Sequence, residues 1–239
     1  MIFGGILAGG IGTRMHMADM PKQFLPLGEK PIIVHTLEKF LMCPDFEKIY
    51  VGVHHDWTSY MEDLVNKHIA SFSSGKVAVI CGGNDRNETI QNIISAIESD
   101  YCISDEHIIV THDAVRPFVT MRMIEENISC AKKYGAVDTV TPAIDTIVTS
   151  EDGNIISSIP NRAQMYQGQT PQSFKISLLK SLYRSLSDDE KNVLTDACKI
   201  CVVRNYPVHL VEGSYTNLKI TTPGDYKIAQ AMVGGKIID

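Results

Sequence analysis

The segment LAGGIGTRMHMADMPKQFL, residues 7–25, joins the end of an apolar run to a glycine cluster and two cations. The apolar run at residues 2–8 is typical of a buried strand, and the glycines follow it directly. Glycines let backbone N–H groups approach an anion closely, and Arg14 and Lys22 can then neutralise it. The segment therefore predicts a loop that binds a nucleotide triphosphate after a strand, and a reaction at phosphorus.

Two familiar nucleotide-binding motifs are absent from this segment. A P-loop requires Gly-x-x-x-x-Gly-Lys-Ser/Thr, and the chain has no such run. A dinucleotide fingerprint requires a third glycine, but Gly10-Ile11-Gly12 is followed by Thr-Arg-Met. A Rossmann-type oxidoreductase is therefore the weaker alternative, and an ordinary tight turn is the plain structural one.

Length, charge and cysteine usage limit the class of protein. A chain of 239 residues with a net charge of −6 suits a single α/β domain, residues 1–239, and lacks the basic stripe of a nucleic-acid-binding protein. No apolar run reaches membrane-spanning length, and the N-terminus has no signal-peptide pattern. Cys198 and Cys201 have metal-ligand spacing but lie in an apolar run, which favours a core position. We expect a cytoplasmic protein with no nucleic-acid or membrane partner.

Strand-like and helix-like segments alternate over the first 134 residues. This alternation predicts an α/β fold, a Rossmann-like, mainly parallel sheet with helices on both faces. The predicted strands are residues 2–8, 48–53, 77–81 and 107–111, and the predicted helices are residues 31–42, 57–70, 87–99 and 121–134.

The pattern changes after residue 135. Residues 137–149 and 154–159 look extended and are joined by a Glu-Asp-Gly-Asn turn, which predicts a protruding β-hairpin arm at about residues 140–162. Such an arm could pair with another subunit, or the two segments could form an added antiparallel pair on the same sheet. Helical patterns at 177–186, 188–194 and 225–232 complete the chain.

Polar residues directly after predicted strands are the candidate site residues, since ligands bind at the carboxyl ends of parallel strands. Gly82 to Thr89 follow one strand, where the glycines permit close approach to a ring or ribose. Asp113 follows another and is a natural Mg²⁺ ligand beside a triphosphate. Arg116 could hold that carboxylate or a second phosphate, or only brace the loop. No serine–histidine–acid pattern indicates covalent catalysis.

Five motifs, in order and over essentially the whole chain, resemble the cytidylyltransferases that act on polyol phosphates. They are LAGGxGxRM with PKQF, GGxxR, HDAxRP, TPQxF and NLKIT. Two subfamilies are possible, one that acts on 2-C-methyl-D-erythritol 4-phosphate and one that acts on D-ribitol 5-phosphate. The sequences of residues 51–57, 110–118 and 165–174 are more similar to those of the ribitol-5-phosphate enzymes. The product of those enzymes is used to make teichoic acids or related polymers.

The resemblance implies a role for each matching position. Arg14, Lys22 and Lys219 would act at the α-phosphorus, and Asp113 would hold Mg²⁺. Asn84 stands where the methylerythritol enzymes often carry Asp. A homodimer is implied, in which the arm of one subunit reaches the other's site. The residues implied for CTP are Leu7, Ala8, Gly9, Gly10, Gly83, Asn84, Arg86 and Thr89. Those implied for the sugar phosphate are Asp145, Thr146, Arg162, Thr170 and Thr195.

Overall fold

The fold is described from a computed structural model that covers residues 1–10, 20–69 and 75–235. Within these ranges, nine strands form a seven-stranded sheet and a separate short hairpin. The strands are β1 (Ile2–Ala8), β2 (Pro26–Leu27), β3 (Lys30–Pro31), β4 (Phe46–Val53), β5 (Val77–Cys81), β6 (Ile108–Asp113), β7 (Ala136–Pro142), β8 (Tyr166–Lys175) and β9 (His209–Glu212).

The described helices follow the strands in the alternation expected from the sequence. Several begin at side-chain caps that satisfy their first backbone N–H groups, including Asp85, Thr120, Asp196 and Thr222. The helices are α1 (Ile32–Leu41), α2 (Thr58–His68), α3 (Arg86–Asp100), α4 (Met121–Tyr134), α5 (Ile176–Arg184), α6 (Asp188–Asn192), α7 (Ala197–Val203) and α8 (Pro223–Val233).

The large sheet has the strand order β5-β4-β1-β6-β8-β7-β9. The pairs β1–β4, β1–β6, β4–β5 and β7–β9 are parallel, and β8 runs antiparallel to both of its neighbours. The predicted mainly parallel α/β sheet is therefore confirmed. The antiparallel central strand β8 was not among the predicted strands.

Apolar side chains cover both faces of this sheet. One cluster joins its strands to α1, α2 and α4, and a second joins them to α3, α5 and α7. Cys198 and Cys201 lie in the second cluster and are buried, as expected for core cysteines. No helix in the described part of the chain is both long and apolar enough to cross a membrane.

The connection between β7 and β8 holds the region where the arm was predicted. The regular strand ends at Pro142, so the expectation of one extended strand over residues 137–149 was wrong for its second half. Beyond it, Thr149 and Ser158 form an isolated antiparallel bridge, and the intervening turn is organised by the side chain of Asp152. The segment thus leaves the sheet, and its two halves are only loosely paired with each other.

Candidate active site

A cavity of about 440 Å³ opens at the carboxyl ends of β1, β5 and β6. It brings together most of the residues predicted from the sequence, from six separate parts of the chain. They are Leu7, Ala8, Gly9, Gly10, Lys22, Gly83, Asn84, Arg86, Thr89, Asp113, Thr195 and Lys219.

The end of β1 is held in place by a buried glutamine. The side-chain amide of Gln23 donates to the carbonyl oxygens of Ala8 at 2.7 Å and Gly10 at 3.0 Å. Gln23 follows Lys22 in a short 3-10 turn, so these bonds fix the lysine backbone relative to the glycine loop. Sequence reasoning gave Gln23 no role, although its position beside a predicted phosphate-binding lysine was a usable signal.

The loop after β5 is shaped by close packing. A Cβ on Gly83 would lie only 2.4 Å from Cβ of Glu88, so this position has no room for a side chain. The Thr89 hydroxyl accepts from the Gly83 backbone N–H at 2.9 Å and donates to the Asp85 carbonyl at 2.8 Å. Asn84 is held by Glu88 Oε2, which accepts from its backbone and side-chain nitrogens. The loop is thus held in shape by hydrogen bonds among its own residues.

Asp113 is the centre of the cavity's charge. One carboxylate oxygen bonds Arg86 Nη1, and the other lies 3.0 Å from Lys219 Nζ and 3.3 Å from Arg116 Nε. Burial alone would raise the pKa of the Asp113 carboxyl, but Arg86, Lys219 and Arg116 outweigh it and hold the pKa well below its usual range. Asp113 is therefore a permanently charged acceptor shared by three cations.

The turn that carries Asp113 rests on a buried hydrogen-bond chain. The Asp113 backbone N–H donates to Thr170 Oγ1 at 3.1 Å, and that hydroxyl lies 2.9 Å from His112 Nδ1. His112 Nε2 lies 3.1 Å from the Arg116 carbonyl, so Nε2 carries the proton and Nδ1 accepts from Thr170. Burial lowers the pKa of His112 to about 4, which keeps the ring neutral. Thr170 therefore supports Asp113 from below the cavity.

Lys219 reaches the same centre from a loop, because residues 213–222 contain no regular strand. This loop is tied to the Asp113 turn at two points. Arg116 Nη1 donates to the Asn217 carbonyl at 2.7 Å, and the Ile220 N–H donates to the Val115 carbonyl at 3.0 Å. Of the two interpretations of Arg116, the bracing one fits, since it is buried and bonds Asp113 and the Lys219 loop.

Some predicted residues lie elsewhere. Asp145, Thr146 and Arg162 are exposed on the β7–β8 connection and do not line this cavity of their own chain, and Arg162 Nη1 donates to the Ile144 carbonyl at 3.0 Å. Arg14 lies outside the described residues. The further lining residues that sequence reasoning had not assigned are Gln23, Asp85, Ala114 and Val115.

The strand order, the glycine loop and the cation cluster at the carboxyl ends define a nucleotide-dependent transferase of the α/β class. Comparison with known proteins then identifies the family. The family model of IspD, 2-C-methyl-D-erythritol 4-phosphate cytidylyltransferase, matches residues 3–235, and the chain belongs to this family.

Relatives and solved structures agree with this assignment. The chain is 54% identical, over 98% of its length and 99% of theirs, to proteins named ribitol-5-phosphate cytidylyltransferase in two strains of Streptococcus pneumoniae. A Francisella tularensis 2-C-methyl-D-erythritol 4-phosphate cytidylyltransferase is similar in structure, with a TM-score of 0.78 and 27% identity over 95% of this chain and 97% of that one. The fold also matches a 4-diphosphocytidyl-2C-methyl-D-erythritol synthase from Anaerococcus prevotii, with a TM-score of 0.79 and 24% identity over 98% and 96% of the chains.

Proposed function

We propose that this protein transfers the cytidylyl group of CTP to D-ribitol 5-phosphate, giving CDP-ribitol and pyrophosphate. The observation that carries the proposal is the 54% identity, over nearly the full length of both chains, to the streptococcal ribitol-5-phosphate cytidylyltransferases. The cavity supports it, because its cations and glycine-lined edges suit a triphosphate.

The reaction joins two anions, so its main requirement is electrostatic. A phosphate oxygen of ribitol 5-phosphate attacks the α-phosphorus of CTP, the new P–O bond forms, and pyrophosphate leaves. A phosphate monoester is largely dianionic near neutral pH, with a second pKa of about 6, so the nucleophile needs no general base. Lys22 and Lys219 are suited to offset the repulsion and the charge that develops at phosphorus. Arg14 is proposed as a third cation on the basis of the sequence alone.

Lys219 is the cation best placed to change partners. Its side chain is 43% exposed, whereas that of Asp113 is 8% exposed. In the structure Lys219 pairs with Asp113 at 3.0 Å, and an incoming phosphate offers it an alternative anion at the same cavity wall. We infer that Lys219 turns from Asp113 to phosphate when CTP binds.

A magnesium ion fits the donor set of the cavity. Asp113 is ionised and lines the cavity, and Mg²⁺ is commonly held by one or two carboxylates together with substrate phosphates and water. Asp113 would hold the ion, which would neutralise phosphate charge. Because three cations already share that carboxylate, one of them has to give way.

The cytidine is proposed to lie against the two glycine-lined edges. Gly9 and Gly10 follow β1, and Gly83 and Asn84, with Thr89 from the start of α3, line the same cavity. Leu7, Ala8 and Arg86 line the same cavity. A flat ring must approach the backbone closely to bind here. Gly83 has no side chain to block that approach, and the loop has no room for one.

The β7–β8 connection is proposed to complete the site of a second subunit in a homodimer. Asp145, Thr146 and Arg162 are exposed and are not among the residues that line their own cavity. The same segment exposes large apolar side chains that a partner would cover, namely Ile144, Val148, Ile155, Ile156 and Ile159. We therefore assign sugar-phosphate recognition by Asp145, Thr146 and Arg162 to the neighbouring subunit's site, and by Thr195 to its own. Thr170, which the resemblance also implied, is buried in β8 and bonds the Asp113 backbone instead of lining the cavity.

CDP-ribitol is an activated polyol phosphate, which suits the synthesis of teichoic acid or a related cell-surface polymer. All six cysteines are free thiols, in keeping with a reducing compartment, so we place the reaction in the cytoplasm.

The acceptor is tested by pyrophosphate release from CTP and Mg²⁺, with D-ribitol 5-phosphate and 2-C-methyl-D-erythritol 4-phosphate offered in parallel. We expect release with the ribitol compound. The family model and the Francisella structure favour 2-C-methyl-D-erythritol 4-phosphate as the alternative acceptor. Release of pyrophosphate with this compound alone would overturn the proposal. Titration with NAD(H) serves as a control, because binding without any pyrophosphate release would indicate an oxidoreductase.

A further inference from the structure

Gln172 lies on β8 behind the cavity and is 1% exposed. Its side-chain amide has a partner on every side. Nε2 donates to Asp138 Oδ1 at 2.9 Å and to Asp196 Oδ2 at 2.8 Å, and Oε1 accepts from Arg86 Nη2 at 3.3 Å. Gln172 thus links two carboxylates at the back to an arginine of the cavity wall.

The charges around Gln172 allow only one orientation of its amide. Turning the amide over would place Oε1 against the oxygens of Asp138 and Asp196, and would place its NH₂ group against the donors of Arg86. A guanidinium only donates hydrogen bonds and an ionised carboxylate only accepts them, so a turned-over amide would lose its bonds to Arg86 and to an ionised acid. The amide therefore stays with its NH₂ group toward the acids.

Arg86 lies between two groups of carboxylates. Its Nη1 bonds Asp113 on the cavity side, while Asp196 attracts it from behind, and both acids raise the pKa of its guanidinium against the opposing effect of burial. Its Nε is buried and has no hydrogen-bond partner among the described residues, so none of them fixes through that atom the choice between the two sides. The Gln172 amide occupies the rear acceptors that would otherwise draw Arg86 away from the cavity.

We propose that Gln172 is a positioning residue, which keeps Arg86 paired with Asp113 at the wall of the CTP cavity. The inference rests on the proposed function only in taking CTP as the ligand. Without the amide, Arg86 turns back to Asp138 and Asp196. Asp113 then loses one of its three cations, and the wall of the cavity is displaced.

The first test is Gln172→Met, which keeps the side-chain length and removes the amide. Because the Arg86 pairing is present before the reaction, its loss should weaken ground-state binding. We expect the KM for CTP to rise about tenfold or more, with kcat changed by less than about threefold. Gln172→Asn, which retracts the amide by one methylene, gives the same direction of change and replaces Gln172→Met if that variant does not fold.

Ser173→Ala is the matched control on the same strand. Ser173 is also buried, points to the other face of the sheet, and donates to Asn127 Oδ1 at 3.1 Å. Its loss should lower the melting temperature and leave the KM for CTP unchanged. An equal rise in KM for both variants would mean that Gln172 acts only through the stability of β8, and would overturn the proposal.

A double-mutant cycle with Arg86→Gln tests whether Gln172 acts through the arginine. With the guanidinium gone, Gln172→Met should change the KM for CTP by less than about twofold. A full and additive effect in that background would refute the role of Arg86. A crystal structure of Gln172→Met should place the Arg86 guanidinium on Asp196 or Asp138, and finding it still on Asp113 would also refute the proposal.

Calorimetric titration with CTP alone separates this inference from the choice of acceptor. Wild-type protein that binds CTP but turns over neither acceptor would refute the proposed acceptor, and the Gln172 comparison would then be made on Kd. Gln172→Met protein that binds CTP as tightly as wild type would refute the positioning role, whichever acceptor reacts. Absence of CTP binding by the wild type would overturn both.

Discussion

Replacing Asp138 with Asn should stabilise the protein, and more so as the pH rises. Asp138 lies on β7 and faces Gln172 on β8, Asp196 at the cap of α7, Cys198 on α7, and Arg86 on α3. Burial, together with the charge of Asp196, raises the pKa of the Asp138 carboxyl to about 7, although the Gln172 hydrogen bond and Arg86 oppose this. Asn keeps an oxygen that can accept from Gln172 and cannot ionise.

The size and sign follow from the pKa of Asp138 in the folded and unfolded chains. The folded protein holds the proton more tightly, since its pKa is about 7 against 3.8 for the exposed group. The free energy of unfolding therefore falls as the pH rises from about 4 through 7, because the buried Asp138 carboxyl ionises. Above pH 7 this destabilisation is complete. At 1.36 kcal/mol per pH unit, the full penalty is on the order of 4 kcal/mol. The Asn variant does not incur it.

The assay is urea unfolding of both proteins at pH 4, 5, 6, 7 and 8. We expect the gain in unfolding free energy from Asp138→Asn to be small at pH 4 and to reach a few kcal/mol at pH 8, with an unchanged denaturant slope. Asp105→Asn, at an exposed position, is the control and should show no such trend. A gain that does not vary with pH, or a loss at pH 8, would refute the reasoning about burial.

Three further predictions concern Lys22, Gly83 and the proposed dimer arm. Lys22→Ala should lower the rate of pyrophosphate release about 100-fold or more while the melting temperature stays within a few degrees, because the lysine offsets charge at phosphorus; equal losses of activity and stability would contradict this role. Gly83→Ala should cost about 1–3 kcal/mol in urea unfolding and raise the KM for CTP, since the added Cβ would overlap Glu88; a variant as stable as wild type would show that the loop can move aside. If the arm acts across a dimer, mixing equal amounts of the inactive variants Arg162→Ala and Lys219→Ala should restore about a quarter of the wild-type activity. About half of the dimers are then mixed, and one of the two sites in each mixed dimer is intact. No recovery of activity would refute that arrangement.

The parts of the site that follow strands could be predicted from the sequence. Gly9, Gly83 and Asp113 each lie within two residues of the end of a predicted strand, and parallel strands bring such ends to one edge of the sheet. The same logic placed Lys22, because it comes shortly after the first strand. Lys219 was found through its motif alone, since its loop has no periodic pattern.

Strand β8 could not be predicted because it contains Pro171. Proline inside a run argues against a central strand, since it has no N–H to donate to a neighbour. The structure accommodates it at an irregularity in the β7–β8 pairing, where the register shifts between Asp138 and Val140. There the Thr139 hydroxyl donates to the Pro171 carbonyl at 2.6 Å. This compensation, like the Gln172 network beside it, depends on a register that no local pattern encodes.

The shared carboxylate of Asp113 has a consequence for selectivity among cellular anions. A pocket of cations with nothing to balance them would fill with inorganic phosphate, which is abundant wherever nucleotides are used. Here Asp113 acts as a tethered competitor that is always present at the cations it holds. A triphosphate offers these cations several negative charges at once, whereas inorganic phosphate offers fewer. We therefore expect inorganic phosphate to compete with Asp113 for these cations less well than a triphosphate does.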